Sequence, residues 1–128
     1  MKLSVYFEKS TGKGVLATAD SKGKVDVAVY SRPHFIDEEN VAFIMADRLT
    51  HENLKSNPSA AYLFMESGEK WTGKRLFLRK TKEEQNKELI AQVLRKDGCP
   101  VYEAYKDEIR FLVYFHIEKV LPLIGSGE

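Results

Sequence analysis

"GVLATADSKGKVDVAVYSRPHFIDEENVAFIMAD", residues 14–47, is the stretch whose reading decides the fold. Three apolar runs, 14–20, 25–35 and 41–47, are separated by "SKGK" (21–24) and "DEEN" (37–40). Turns this short reverse the chain, so the runs are antiparallel strands in a meander. A parallel neighbour needs a crossover of about a dozen residues or more. A doubly wound parallel sheet is therefore excluded. Within the second run Val25, Val27 and Val29 alternate on one face, until Pro33 ends regular pairing.

Outward from this meander the pattern extends on both sides. "LSVYFEK" (3–9) places apolar residues at 3, 5, 6 and 7, with Ser4 as a cap, and predicts a short helix. "ADRLTHENLKSNPSAAYLF" (46–64) predicts a helix over about 50–57, closed by Pro58, and then a fourth strand at 60–66. "SGEKWTGK" (67–74) is a loop, and "RLFLRKTKEE" (75–84) a fifth strand. Residues 82–96 carry Leu89, Ile90, Val93 and Leu94 on one stripe and predict an amphipathic helix. Irregular chain follows over 97–108. A long closing strand over 109–123 alternates Phe111, Val113, Phe115 and Ile117 against Arg110, Leu112, Tyr114 and His116. Six strands with strong inward faces in so short a chain predict a mainly β fold, a closed or nearly closed antiparallel barrel with peripheral helices. There is no repeat or linker, so residues 1–128 read as a single domain.

The bulk numbers agree. Lys and Arg total 20 against 19 for Asp and Glu, a net charge of +1. A near-neutral chain offers no global attraction to nucleic acid or an anionic membrane, so any anion site is local. No run approaches the roughly 18 apolar residues of a membrane span, and the start lacks a signal-peptide core. A cytoplasmic protein is expected. Cys99, the one cysteine, rules out a disulfide framework and sits in a turn-like "KDGCPV" as a bystander thiol.

Familiar catalytic patterns fail. "GEKWTGKR" (68–75) nearly matches a phosphate-binding P-loop, but Arg75 stands where Ser or Thr must hold magnesium, and a strand follows instead of a helix. "HENLK" lacks the second histidine of a zinc-protease helix, and His34, His51 and His116 share no metal-ligand spacing. No nucleophile elbow or paired-carboxylate arrangement is visible, so no catalytic residue and no metal site is assigned. The informative place is the helix mouth, with Arg48, Thr50 and His51. A helix start exposes unpaired N–H groups and is either capped or holds an anion. If Tyr30 and Ser31 face Met45 and Ala46, Arg32 and Arg48 converge on one anion. Otherwise Thr50 is an N-cap and Arg48 pairs with Asp47. Trp71, in its glycine-flanked loop, either covers a ligand or lids the barrel end.

"GVLATADSKGKVDVAVYSRPHF", "NVAFIMADRLTHENLKSNPSAAYLF" and "GKRLFLRKT" together resemble the pyridoxamine 5′-phosphate oxidase-like, FMN-binding split-barrel superfamily. The likeness is to its small single-domain FMN-binding proteins. It covers residues 3 to 84 well and the closing strand loosely. The resemblance implies a six-stranded antiparallel split barrel that forms a homodimer with FMN at the interface. It implies Arg48, Leu49 and Thr50 around the phosphate, with Arg32 a further candidate. Backbone of Val29, Tyr30 and Ser31, with Ile44, Met45 and Ala46, would lie along the flavin ring and ribityl chain, and Trp71 or residues of the strand at 75–80 would come from the partner. Two departures stand out. "RLTHEN" lacks the lysine that many members place in the phosphate turn, and no arginine follows Arg110, so the vitamin B6 reaction is not expected.

A flavin needs an apolar slot and a cationic cradle, while the redox chemistry belongs to the cofactor. The expectation is an FMN-binding flavoprotein, an oxidoreductase or electron-transfer protein acting on an unidentified small molecule. The alternatives are a non-catalytic FMN carrier, a deazaflavin- or haem-binding barrel with His116 as the haem ligand, and a structural dimer without cofactor.

Overall fold

The computed structural model describes residues 1–96 and 109–126. Its elements are α1 (Leu3–Lys9), β1 (Gly12–Ala19), β2 (Val25–Tyr30), β3 (His34–Phe35), β4 (Asn40–Ala46), α2 (Leu49–Ser56), β5 (Ser59–Glu66), β6 (Gly73–Glu84), α3 (Lys87–Lys96) and β7 (Arg110–Pro122). The strands form one antiparallel sheet in the order β2-β1-β5-β6-β7-β4-β3. Both predicted turns are held by aspartates. Asp20 Oδ1 accepts from the N–H groups of Lys22 and Lys24, and Asp37 Oδ1 from those of Glu39 and Asn40.

The sheet has seven strands, not six, because the run expected as one strand over 25–35 is two. β2 pairs with β1, while β3 pairs with β4. Between them Ser31, Arg32 and Pro33 leave the ladder, since proline has no N–H to donate and restricts the residue before it. β2 and β4 are therefore not neighbours in the sheet. Their separation shapes the molecule. β2 and β3 are opposite edges of the sheet, yet three residues join them. Both edges must then lie close together, so the sheet curls. Across the seam the rings of Tyr30 and Phe43 meet edge to face at 6.0 Å.

The crossover is pinned from two sides. The Tyr62 hydroxyl donates to the Ser31 carbonyl at 3.0 Å. Arg32 Nη1 donates to the carbonyls of Phe7 at 2.8 Å and Ser10 at 2.6 Å, at the end of α1. Gly14 makes room for this tie, because a Cβ there would fall 1.9 Å from the Tyr62 hydroxyl. Tyr62 is fully buried and cannot swing aside. Gly14→Ala is expected to cost about 1–3 kcal/mol by overpacking, measured as a lower urea midpoint at unchanged slope.

The curl encloses the core. Leu16, Val41, Phe43, Met45, Tyr62, Phe64, Leu76, Leu78, Val113 and Phe115 fill it, and α1 adds Phe7, 5.1 Å from Phe64. Ser4 does not cap α1; it bonds to Glu38 and ties the helix to the β3–β4 turn. A barrel filled by its own side chains leaves ligands outside it. On the outer face, Ala42 and Leu112 pack with Ile90 of α3. The helix expected from residue 82 begins at Lys87, because β6 continues to Glu84. The irregular stretch expected at 97–108, with Cys99, lies outside the described residues. Among the described residues no helix is long and apolar enough to cross a membrane.

Candidate functional site

Edge strand β2 turns Val25, Val27 and Val29 outward, 83%, 66% and 83% exposed. Beside it opens a cleft of about 640 Å³, within the range of roughly 300–1,000 Å³ usual for small-molecule sites. It runs from β2 over the crossover to the outer side of β4, and is bounded by the start of α2 and by α3. Val29, Tyr30, Ser31 and Arg32 line one part, Ile44, Met45 and Ala46 another, and Arg48, Leu49 and Thr50 the helix end. The structure thus brings these ten sequence-predicted residues to one cavity. Trp71 is 71% exposed in the β5–β6 loop and does not line it.

Sequence reasoning missed other parts of the wall. Val93 and Leu94 of α3 and Arg110 of β7 also line the cleft. The amphipathic stripe of α3 was legible, but not the surface it would cover. Arg110 is set by register: it stands opposite Ala46 on β4.

The mouth of α2 bears on the cap reading. Arg48 is the N-cap residue, in extended backbone, and its side chain makes no capping hydrogen bond. Thr50 is therefore not the N-cap. It is buried in the first turn, and its hydroxyl bonds to the Tyr30 side chain. Burial raises the Tyr30 hydroxyl above the ordinary tyrosine range, although the Thr50 bond and the Arg48 charge pull it back. Tyr30 is thus a neutral hydroxyl at physiological pH. Three N–H groups, of Leu49, Thr50 and His51, have no intrahelical partner by position. They start beside a guanidinium at one end of an apolar cleft, which is the chemistry of an anion cradle.

Arg32 is turned partly to structure, since its Nη1 holds the end of α1. His51 points inward instead of toward the mouth. It is 1% exposed and stacks on Phe111 at 4.0 Å and 13°. Its Nδ1 lies 3.0 Å from Asp47 Oδ1 and its Nε2 2.9 Å from Glu83 Oε2. Carboxylates only accept, so both contacts are hydrogen bonds when both ring nitrogens carry protons. Asp47 therefore serves His51. Burial works to raise the Glu83 carboxyl, but hydrogen bonds from Lys80 and His51 outweigh it and hold the group below its ordinary value. His116 stands outside the cleft, with Nδ1 3.3 Å from Asn40 Oδ1, whereas His34 lines it.

No family model matches the sequence, and neither does any curated protein. Solved structures do. An FMN-binding protein from Syntrophomonas wolfei subsp. wolfei superposes with a TM-score of 0.79 at 20% identity, over 97% of this chain and 85% of its own. An F420 reductase gives 0.70 at 15% identity, over 90% and 93% of the two chains. HupZ of Group A Streptococcus gives 0.69 at 17%, over 90% and 87%. Each match extends over nearly the whole of this chain, and the protein has the split-barrel fold of these structures.

Proposed function

We propose that the cleft binds FMN and that the protein is a flavoprotein, an oxidoreductase or electron carrier for a small molecule. The observation that carries this reading is the start of α2, with Arg48 as an N-cap residue whose side chain makes no capping bond, at the end of an apolar cleft outside a filled core. The structural neighbours, described as an FMN-binding protein and an F420 reductase, support it as analogies of fold.

In this reading the N–H groups of Leu49 and Thr50 and the Arg48 guanidinium hold the phosphate. Ile44 and Ala46 from the outer side of β4, with Val29, Tyr30 and Ser31, supply an apolar wall and backbone partners for the ring. Met45 lends backbone, because its side chain is in the core. When bound, the cofactor supplies the electron transfer, so the chain needs no acid–base pair of its own. Tyr30 keeps its proton and orients through Thr50. The protein acts as a homodimer in this proposal. Three outward valines on one edge strand are costly in water, and a second copy laid over them would complete the cleft and bring its own Trp71 loop to it.

Purified protein mixed with FMN and desalted is expected to retain one flavin per chain by its visible absorption, and to sediment as a dimer. A protein that stays colourless, or that takes up haem in preference, overturns the flavin reading. Saturable turnover of an electron donor then separates an enzyme from a carrier that is reduced only stoichiometrically.

A further inference from the structure

We infer that Arg110 and α3 form a second subsite of the cleft, one that holds the carboxylate of a planar, apolar reactant. This deepens the flavin reading, on which the redox role of that reactant rests. In the β4–β7 ladder Ala46 stands opposite Arg110, Ile44 opposite Leu112 and Ala42 opposite Tyr114. Directly opposed residues share a face. Val41, Phe43 and Met45 occupy the core, so this row is the outer one. Arg110 therefore stands at the end of an apolar shelf, and α3 lays Val93 and Leu94 beside that shelf within the same cleft.

Arg110 is half-buried and makes no ion pair among the described residues. Its planar fork matches a carboxylate in two parallel hydrogen bonds, stronger where the guanidinium is partly desolvated. The phosphate cradle does not use it. Arg48 and Thr50 act on Tyr30, on the β2 side of the helix mouth. Arg110 comes from β7, opposite Ala46. Two cationic residues from different elements, the start of α2 and β7, line one apolar cleft and can serve two anionic groups. The chemical class follows from the lining: a flat hydrophobic body for Ile44, Val93 and Leu94, and one anionic group for Arg110.

The test uses naphthalene-1-carboxylate and its neutral counterpart naphthalene-1-carboxamide, titrated calorimetrically into the protein with and without FMN. The carboxylate is expected to bind about tenfold tighter or more, as a charge-assisted bidentate pair allows. Arg110→Gln should abolish that preference while leaving carboxamide and FMN affinity unchanged. Arg110→Lys should restore only part of it. Leu94→Ala should weaken both probes alike. If Arg110→Gln weakens FMN and spares the carboxylate preference, Arg110 belongs to the cofactor phosphate and the inference fails. Equal affinity for the two probes in the unaltered protein also overturns it. The comparison can be made on flavin-free protein, so failure to bind FMN would be seen separately from failure of the subsite.

Discussion

Arg48→Ala is expected to weaken FMN binding roughly 10- to 150-fold, the equivalent of one charge-assisted phosphate contact of about 1.5–3 kcal/mol. Riboflavin, which lacks the phosphate, should bind both proteins almost equally. The separation follows from where Arg48 stands. It is the N-cap residue of α2, so its charge and the free N–H groups of the first turn address the same point in the cleft. Its side chain makes no capping bond to the helix. Arg48→Lys should recover part of the loss, because a point charge replaces a planar fork. Adding Thr50→Val to Arg48→Ala should deepen the defect, since the hydroxyl that fixes Tyr30 is lost as well. Flavin fluorescence quenching measures both ligands in one format. Equal losses for FMN and riboflavin, or no loss, would remove the phosphate from the mouth of α2.

Much of the fold around this cleft was legible because turns are local. "SKGK" and "DEEN" carry their aspartate-anchored chemistry within four residues or next to it, so strand direction could be read from them directly. The helix mouth was legible for the same reason: a strand, a short polar stretch and a proline-terminated helix leave little freedom. What could not be read were choices made by distant partners. Pro33 marked a break, but only the pairing of β2 with β1 and of β3 with β4 shows that the chain changes edges there. Alternation of Val25, Val27 and Val29 looks identical whether that face meets a core or an outer surface, and here it is outward. Arg32 read as a ligand for anions, while two carbonyls of α1, more than twenty residues away, claim one of its nitrogens. The wall supplied by α3 is the same kind of case, since a stripe states that a helix will be covered and never by what.

His51 is where this limit is sharpest, and the helix mouth depends on it. His51→Leu is expected to lower stability by about 2–4 kcal/mol, through loss of the buried contacts that join its ring to two carboxylates. That corresponds to a Tm drop of roughly 3–5 °C per kcal/mol for a chain of this size. Leucine keeps an apolar body against Phe111 but leaves both carboxylates without the imidazole between them. Asp47 is 53% exposed and rehydrates easily, whereas Glu83 is 27% exposed and must rely on Lys80. Most of the loss therefore falls on the tie between α2 and β6. The acid limb gives an independent check. Glu83 is held below its ordinary value in the folded protein, so its contribution is complete above the unfolded carboxylate value and fades as pH falls through the lower folded one. The unaltered protein should lose stability across that window, and His51→Leu should show a shallower slope there because less of the depression remains. FMN affinity should fall too, since the first turn of α2 is no longer clamped to the strand behind it. Unchanged Tm with an unchanged acid slope would mean that the two carboxylates do not hold His51 in solution, and the mouth of α2 would have to be held by its packing on β1, β2 and β4 alone.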